Sequence, residues 1–296
     1  MYDIIADMNS DTPKNVILDT DTYNEVDDQF ALAYALLSGK IELLSVNTAP
    51  FLNDRSTSPE DGMEKSYTEI LNIMKLVGKS APVYKGSRRF LTAADIPEDT
   101  PAAHNIIDTA RSTSGRLYVC AIGAITNVAS AILMAPDIKD KIVVIWLGGN
   151  AHHWQSAREF NLYQDIYASK IIFDSGAPFM QLPCMGVVSE LHTCVAELDH
   201  YLAGKNALCD YLCDIVRSYT SNPYGWSKVI WDVSAIAALT VPHALDRVVK
   251  PTPYLSSDCV YSIDEARHPM IYVRWLSRDA VFADLFKTIS SPVIGK

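Results

Sequence analysis

The chain lacks what a membrane span, an export signal or a nucleic-acid interface would require. No run of eighteen apolar residues occurs, so nothing is expected to cross a bilayer. Lysine and arginine number 25 against 35 aspartates and glutamates, a net charge of −10. That balance argues against a partner gripped by its phosphate backbone. The first fourteen residues are polar and acidic, with no basic segment followed by an apolar one, so no secretory signal is expected. The six cysteines (Cys120, Cys184, Cys194, Cys209, Cys213, Cys259) form no Cys-x-x-Cys pair. Reduced thiols in a cytoplasmic protein are the expectation. Repeats, low-complexity stretches and a convincing linker are also missing. What remains is 296 residues, 49% hydrophobic, enough for a large core. One domain over 1–296 is the reading, with 1–14 as a tail or edge segment.

The apolar pattern alternates strand and helix. Strands are expected at 16–20, 41–47, 82–86, 116–122, 142–147 and 178–182, with helices at 27–38, 63–77, 104–112, 126–134 and 165–175 between and after them. A mostly helical stretch, 189–220, follows, then a helix opening at Asp232 and running to Thr240. Strands near 248–255, 259–263 and 270–275 and a helix near 278–289 close the chain. Near-continuous apolar strands separated by helices predict an α/β fold: an open, mostly parallel sheet with helices on both faces. The loop 87–103, rich in proline and acids, suggests a mobile lid. In such folds the site lies beyond the carboxyl ends of the strands.

The densest chemistry stands at the end of the first strand. Leu18-Asp-Thr-Asp21 is followed by Asp27 and Asp28 at the head of an apolar helix. Crowded acids repel one another and lose hydration, and a cation relieves both costs. Oxygen ligands alone favour a hard ion, Ca²⁺ or Mg²⁺. Helix capping would explain Asp27 and Asp28, but not Asp19 and Asp21 on the strand side. Asp232, Thr126, Asn127 and Asp165 each stand where a cap would also fit. Glu159 and Asn161 flank Phe160, a pattern that places both on one face if the segment is extended.

Together these stretches resemble the calcium-dependent nucleoside hydrolases, the inosine-uridine preferring type. The Leu-Asp-Thr-Asp…Asp-Asp motif, Ile125-Thr126-Asn127, Gly148-Gly149-Asn150, Arg158-Glu159-Phe160-Asn161 with Asp165, and Trp231-Asp232 fall in the family's order. The likeness covers roughly 15 to 290. It implies cleavage of a ribonucleoside's N-glycosidic bond to free base and ribose, a role in purine or pyrimidine salvage, and a homodimer or homotetramer. By position it implies Ca²⁺ held by Asp21, Asp28, Asp232 and the Thr126 carbonyl, with Asp27 taking the proton from water. Asn53 (or Asn47), His153, Glu159, Asn161 and Trp231 would contact the nucleoside or a close analogue.

The sequence departs from that pattern in three places. Five residues, Thr22 to Val26, separate Asp21 from Asp27 where the family has three, and Glu25 thereby becomes a further candidate. Trp231 stands where some members carry a histidine thought to protonate the leaving base; an indole N–H cannot do so near neutral pH. His152 and His153 lie near the place of an asparagine, and at most one is expected to face the site. Tyr224 and Trp226 are candidates for the base pocket. Two other functions fit part of the pattern. A haloacid-dehalogenase-type phosphatase would use Asp19 as nucleophile with Mg²⁺. A riboside-binding protein without turnover would need no leaving-group acid.

Overall fold

The structure is a computed structural model and describes residues 1–291. An eight-stranded sheet forms its centre. Its strands are β1 (Lys14–Thr20), β2 (Ile41–Thr48), β3 (Val83–Tyr84), β4 (Leu117–Ala121), β5 (Ile142–Leu147), β6 (Phe179–Leu182), and two later ones, Leu245–Pro251 and Pro269–Leu276. The order is β3-β2-β1-β4-β5-β6, then Pro269–Leu276, then Leu245–Pro251 at the edge. All neighbours run parallel except the last pair, which is antiparallel. The expected open, mostly parallel sheet with helices on both faces is what forms. Strand order reverses direction between β1 and β4. A crevice opens at such a switch point, beyond the carboxyl ends of the strands.

Two apolar cores fill the two faces of the sheet. Helices Asp28–Leu37 and Val233–Thr240 lie against one another on one face. Both are apolar around nearly their whole circumference, so burial on every side is their stable placement. Phe30, Leu32 and Tyr34 are fully buried, each contributing about 1.5–3 kcal/mol. These two central helices begin at the strand-end crevice. Their starts carry Asp27-Asp28 and Asp232.

Several expectations change. Residues 1–14 are no plain tail: Tyr2–Met8 is a helix whose Ile4 and Met8, one turn apart, are buried. The helix expected at 63–77 starts at Pro59, with the Ser58 hydroxyl accepting from the Asp61 amide. The one expected at 104–112 starts at Pro101, capped by Thr100. Both begin with a proline whose missing N–H costs nothing in the first turn. The segment 87–103 is pinned rather than a loose lid. The Ser87 amide donates to Asn127, the Leu91 amide to Asp165 and the Glu98 amide to Ser130. The strand expected near 248–255 is displaced to Leu245–Pro251, leaving Tyr254–Leu255 to pair with Tyr261–Ser262.

Candidate active site

The carboxyl end of β1 delivers Asp19 and Asp21 into the crevice. Asp19 points into the sheet layer, where Asn127 Nδ2 donates to its Oδ2 at 3.0 Å. Its other oxygen has no partner, and burial pushes its pKa up to about 7. Asp21 is fully buried, and neither of its carboxylate oxygens has a hydrogen-bond partner. A Cβ built on Gly123, in the loop after β4, would stand 2.9 Å from the Asp21 Cγ. Only glycine lets the β4 loop come so close.

Asp27 and Asp232 occupy the residue before their helices, yet neither side chain accepts a hydrogen bond from the helix it precedes. Capping therefore does not account for them. Asp27, Asp28 and Asp232 each bring a carboxylate oxygen within 4.8 Å of the other two. The Thr20 hydroxyl donates to Asp28 Oδ1 at 2.5 Å, and the Trp231 amide to Asp27 Oδ2 at 3.0 Å. Burial and then mutual repulsion raise the pKa of Asp21, Asp28 and Asp232; Asp28 reaches about 7. Asp27 is raised by burial and held back mainly by Lys228. Loss of hydration without compensation is what a hard cation would repair. The unpartnered Asp21 oxygens and the three convergent carboxylates fit such an ion.

Of these acids, Asp27 and Asp232 open onto a cavity of about 420 Å³. Asp27 and Asp232 form its floor, and Glu159, Asn161, Asn53 and Trp231 stand around it. Glu159 and Asn161 are not on an extended strand. Glu159 precedes the short helix Phe160–Gln164 and accepts from the Asn161 and Leu162 amides, which fixes both residues at the cavity. The Gly149 amide also donates to Glu159, at 2.8 Å. The Asn161 amide group donates to the carbonyls of Ile122 and Leu147, the ends of β4 and β5. Asn53 donates to the Asn24 side chain at 2.6 Å.

Other candidates do not line this cavity. Thr126 is buried, and its hydroxyl donates to Asp165, which itself caps the helix Ile166–Asp174 through the Ala168 amide. Asn47 lies outside the cavity lining and accepts from Asn105. His153 is exposed, on a turn beside Trp154, and lines a separate shallow depression. Its neighbour His152 is wedged between Tyr261 and Tyr272, with Nε2 against Gln181 and Nδ1 against Lys250. The pair stands on a turn after Asn150 rather than in a strand. Tyr224 is 94% exposed, and Trp226 stacks on Tyr219 outside the cavity.

Two residues were not legible as site residues. Lys228 is buried; its ammonium donates to Glu25 and lies 3.7 Å from Asp27 Oδ1. Its partners are about two hundred residues away in sequence, so no local pattern marks it. Cys184 lines the cavity beside Glu159, and its thiol is pushed well up by burial and by that carboxylate.

Residues 16–267 match the family profile described as inosine-uridine preferring nucleoside hydrolase. An uncharacterized protein of Schizosaccharomyces pombe is 27% identical over 241 residues, which span 71% of this chain and 74% of that protein. The pyrimidine-specific ribonucleoside hydrolase RihB of Escherichia coli is 26% identical over 194 residues, 57% of this chain and 59% of the relative's length. Two solved structures share the fold. The plant nucleoside hydrolase PpNRh1 superposes with a TM-score of 0.78 at 19% identity, covering 95% of this chain and 100% of that one. A purine-preferring ribonucleoside hydrolase from Gardnerella vaginalis gives 0.78 at 23%, covering 94% and 98%.

Proposed function

This chain belongs to the inosine-uridine preferring nucleoside hydrolase family; it is a nucleoside hydrolase, and we propose that it splits the N-glycosidic bond at a Ca²⁺ centre. Asp21, Asp28, Asp232 and the Thr126 carbonyl are the proposed ligands. When bound, the ion supplies a lowered pKa for a coordinated water and a grip on the ribose diol. What carries the reading is the buried trio Asp27, Asp28 and Asp232, whose carboxylate oxygens converge beside the switch-point cavity, with Asp21, its two oxygens unpartnered, buried near them.

Asp27 is the proposed base. The Trp231 amide orients its Oδ2, and the nearby Lys228 ammonium favours its charged form. Glu159, Asn161 and Asn53, which line the cavity, are the proposed partners of the ribose hydroxyls. Bond cleavage leaves positive charge on the ribose ring, and the surrounding carboxylates and strand-end carbonyls favour it. Trp231 offers a flat face for the base. His153 is withdrawn from the substrate contacts because it stands outside the cavity. The phosphatase alternative loses its nucleophile: Asp19 is fully buried, bound to Asn127, and does not line the cavity.

All six cysteines are free, which supports a cytoplasmic enzyme. No helix among the described residues is long and apolar enough to cross a membrane. A homodimer or homotetramer rests on the family likeness alone. The test of the activity is free-ribose release from purine and pyrimidine nucleosides and p-nitrophenyl riboside, with and without a calcium chelator. Release that stops on chelation and returns with Ca²⁺ is expected; release indifferent to chelation would overturn the metal assignment.

A further inference from the structure

Asp165 does more than cap its helix. It stands at the junction of the short helix Phe160–Gln164, whose first turn lines the cavity, and the helix Ile166–Asp174. Its Oδ1 accepts from the Ala168 amide at 2.9 Å, and that bond alone completes the cap. Its Oδ2 takes nothing from that helix. It accepts twice from elsewhere, from the Thr126 hydroxyl at 2.7 Å and from the Leu91 amide at 2.9 Å. Asp165 is 2% exposed, so bulk water does not replace a lost partner.

All three partners donate. An ionised aspartate only accepts and so meets them all; an asparagine would offer one acceptor and set its NH2 against an amide that can only donate. A cap makes no such demand, since asparagine, serine and threonine cap helices too. Thr126, fully buried, belongs to the loop end beside the buried aspartates. Gly123, three residues earlier, lies too close to Asp21 for a Cβ, and Asn127, the next residue, donates to Asp19. The segment after β3 is tied to this loop end a second time. The Ser87 amide and hydroxyl both donate to Asn127 Oδ1, at 2.9 and 3.1 Å.

Building on the Ca²⁺ reading of the site, in which the Thr126 carbonyl is a ligand, we propose that Asp165 is a positioning residue for the metal centre. It holds Thr126 by the hydroxyl and thereby sets the stretch of backbone that offers the carbonyl. Asp165 itself touches neither the ion nor the riboside. Groups that orient a metal's ligands in this way typically contribute about 10–100-fold in affinity. The Leu91 amide, bound to the same oxygen, makes the segment after β3 part of the same support.

The experiment titrates Ca²⁺ calorimetrically into the chelated full-length protein and records a melting temperature for each variant. The variants are Asp165→Asn, Thr126→Val, Thr126→Ser and the double variant Asp165→Asn/Thr126→Val. Asp165→Asn and Thr126→Val should each weaken Ca²⁺ binding about tenfold or more. The double variant should bind no more weakly than Asp165→Asn alone, because both changes break the same link. Thr126→Ser keeps the hydroxyl and should bind as the wild type does. An Asp165 that only caps its helix would lower the melting temperature of Asp165→Asn and leave Thr126→Val at wild-type affinity. That result, or losses that multiply in the double variant, would overturn the proposal and leave the metal reading standing. So would Thr126→Ser binding as weakly as Thr126→Val. If Asp165→Asn does not fold, the comparison of Thr126→Val with Thr126→Ser decides alone. A wild type that takes up no Ca²⁺ would overturn both the proposal and the metal reading.

Discussion

The two walls of the cavity are built in different ways. The inner wall is made of strand ends and helix starts; Asp232, 4% exposed, lines it, and Asp21 and Asp28, 0% and 1% exposed, lie behind it. The outer wall is made of the turn 22–26 and the segment leading to Trp231, and the Glu25 side chain there is 34% exposed. Topology fixes the inner wall, because a parallel sheet with this order must bring those termini together. Long-range side-chain pairs fix the outer wall: Lys228 to Glu25, Tyr219 to Glu25, Arg55 to the Glu25 carbonyl. Such pairs can be rewritten without disturbing the sheet. On the proposed mechanism the inner wall supplies the reaction, and the outer wall chooses what undergoes it.

Substitutions on the two walls should separate these roles. Asp232→Asn strikes the inner wall and should cost on the order of 10³ in kcat for every riboside, read by ribose release. A loss confined to one substrate would undo the division. Trp231→His strikes the outer wall; it should raise turnover of neutral nucleosides on the order of tenfold while p-nitrophenyl riboside gains little. A uniform fall would mean that stacking on the indole outweighs the missing acid. Lys228→Met leaves Glu25 and Asp27 without their shared cation, and a destabilisation of about 2 kcal/mol is expected in urea unfolding. An unchanged midpoint would show that the pair holds nothing in place.

The inner wall also makes a prediction about pH. In the chelated protein, burial raises the Asp19 and Asp28 carboxyls from 3.8 to about 7. A carboxyl raised on folding binds its proton more tightly in the folded state. Its stabilisation is complete below about pH 4 and is lost as pH climbs towards 7. Melting temperature of the chelated protein should fall across that interval, and Ca²⁺ should restore it most at the upper end. A melting temperature that rises with pH, with or without the ion, would contradict the buried, unpaired state of these acids.

The inner wall is also the part that could be read in the sequence. The apolar runs of β1, β4 and β5 and the acids at the end of β1 announce both the sheet and the site. Asp27 and Asp232 could be told from helix caps only in three dimensions, where their side chains leave the helix amides untouched. The helix start at Pro59 was hidden by a polar first turn, and Tyr2–Met8 by two acids within a single short helix. Glu159 and Asn161 were placed at the site but in the wrong local conformation, since a glutamate accepting its own helix's amides has no periodic signature. His153 misled because adjacent histidines alternate faces only in a strand, and here the chain turns. Lys228 was invisible because its partners come from the other end of the chain.

The most direct test is a calorimetric titration of Ca²⁺ into the chelated protein, wild type against Asp21→Asn. One ion per chain, with proton release on binding, is expected in the wild type, because ligands raised in pKa must ionise to coordinate. Asp21→Asn should weaken the binding at least about tenfold. No binding heat in the wild type, or equal affinity in the variant, would contradict the claim that these buried aspartates form the metal centre.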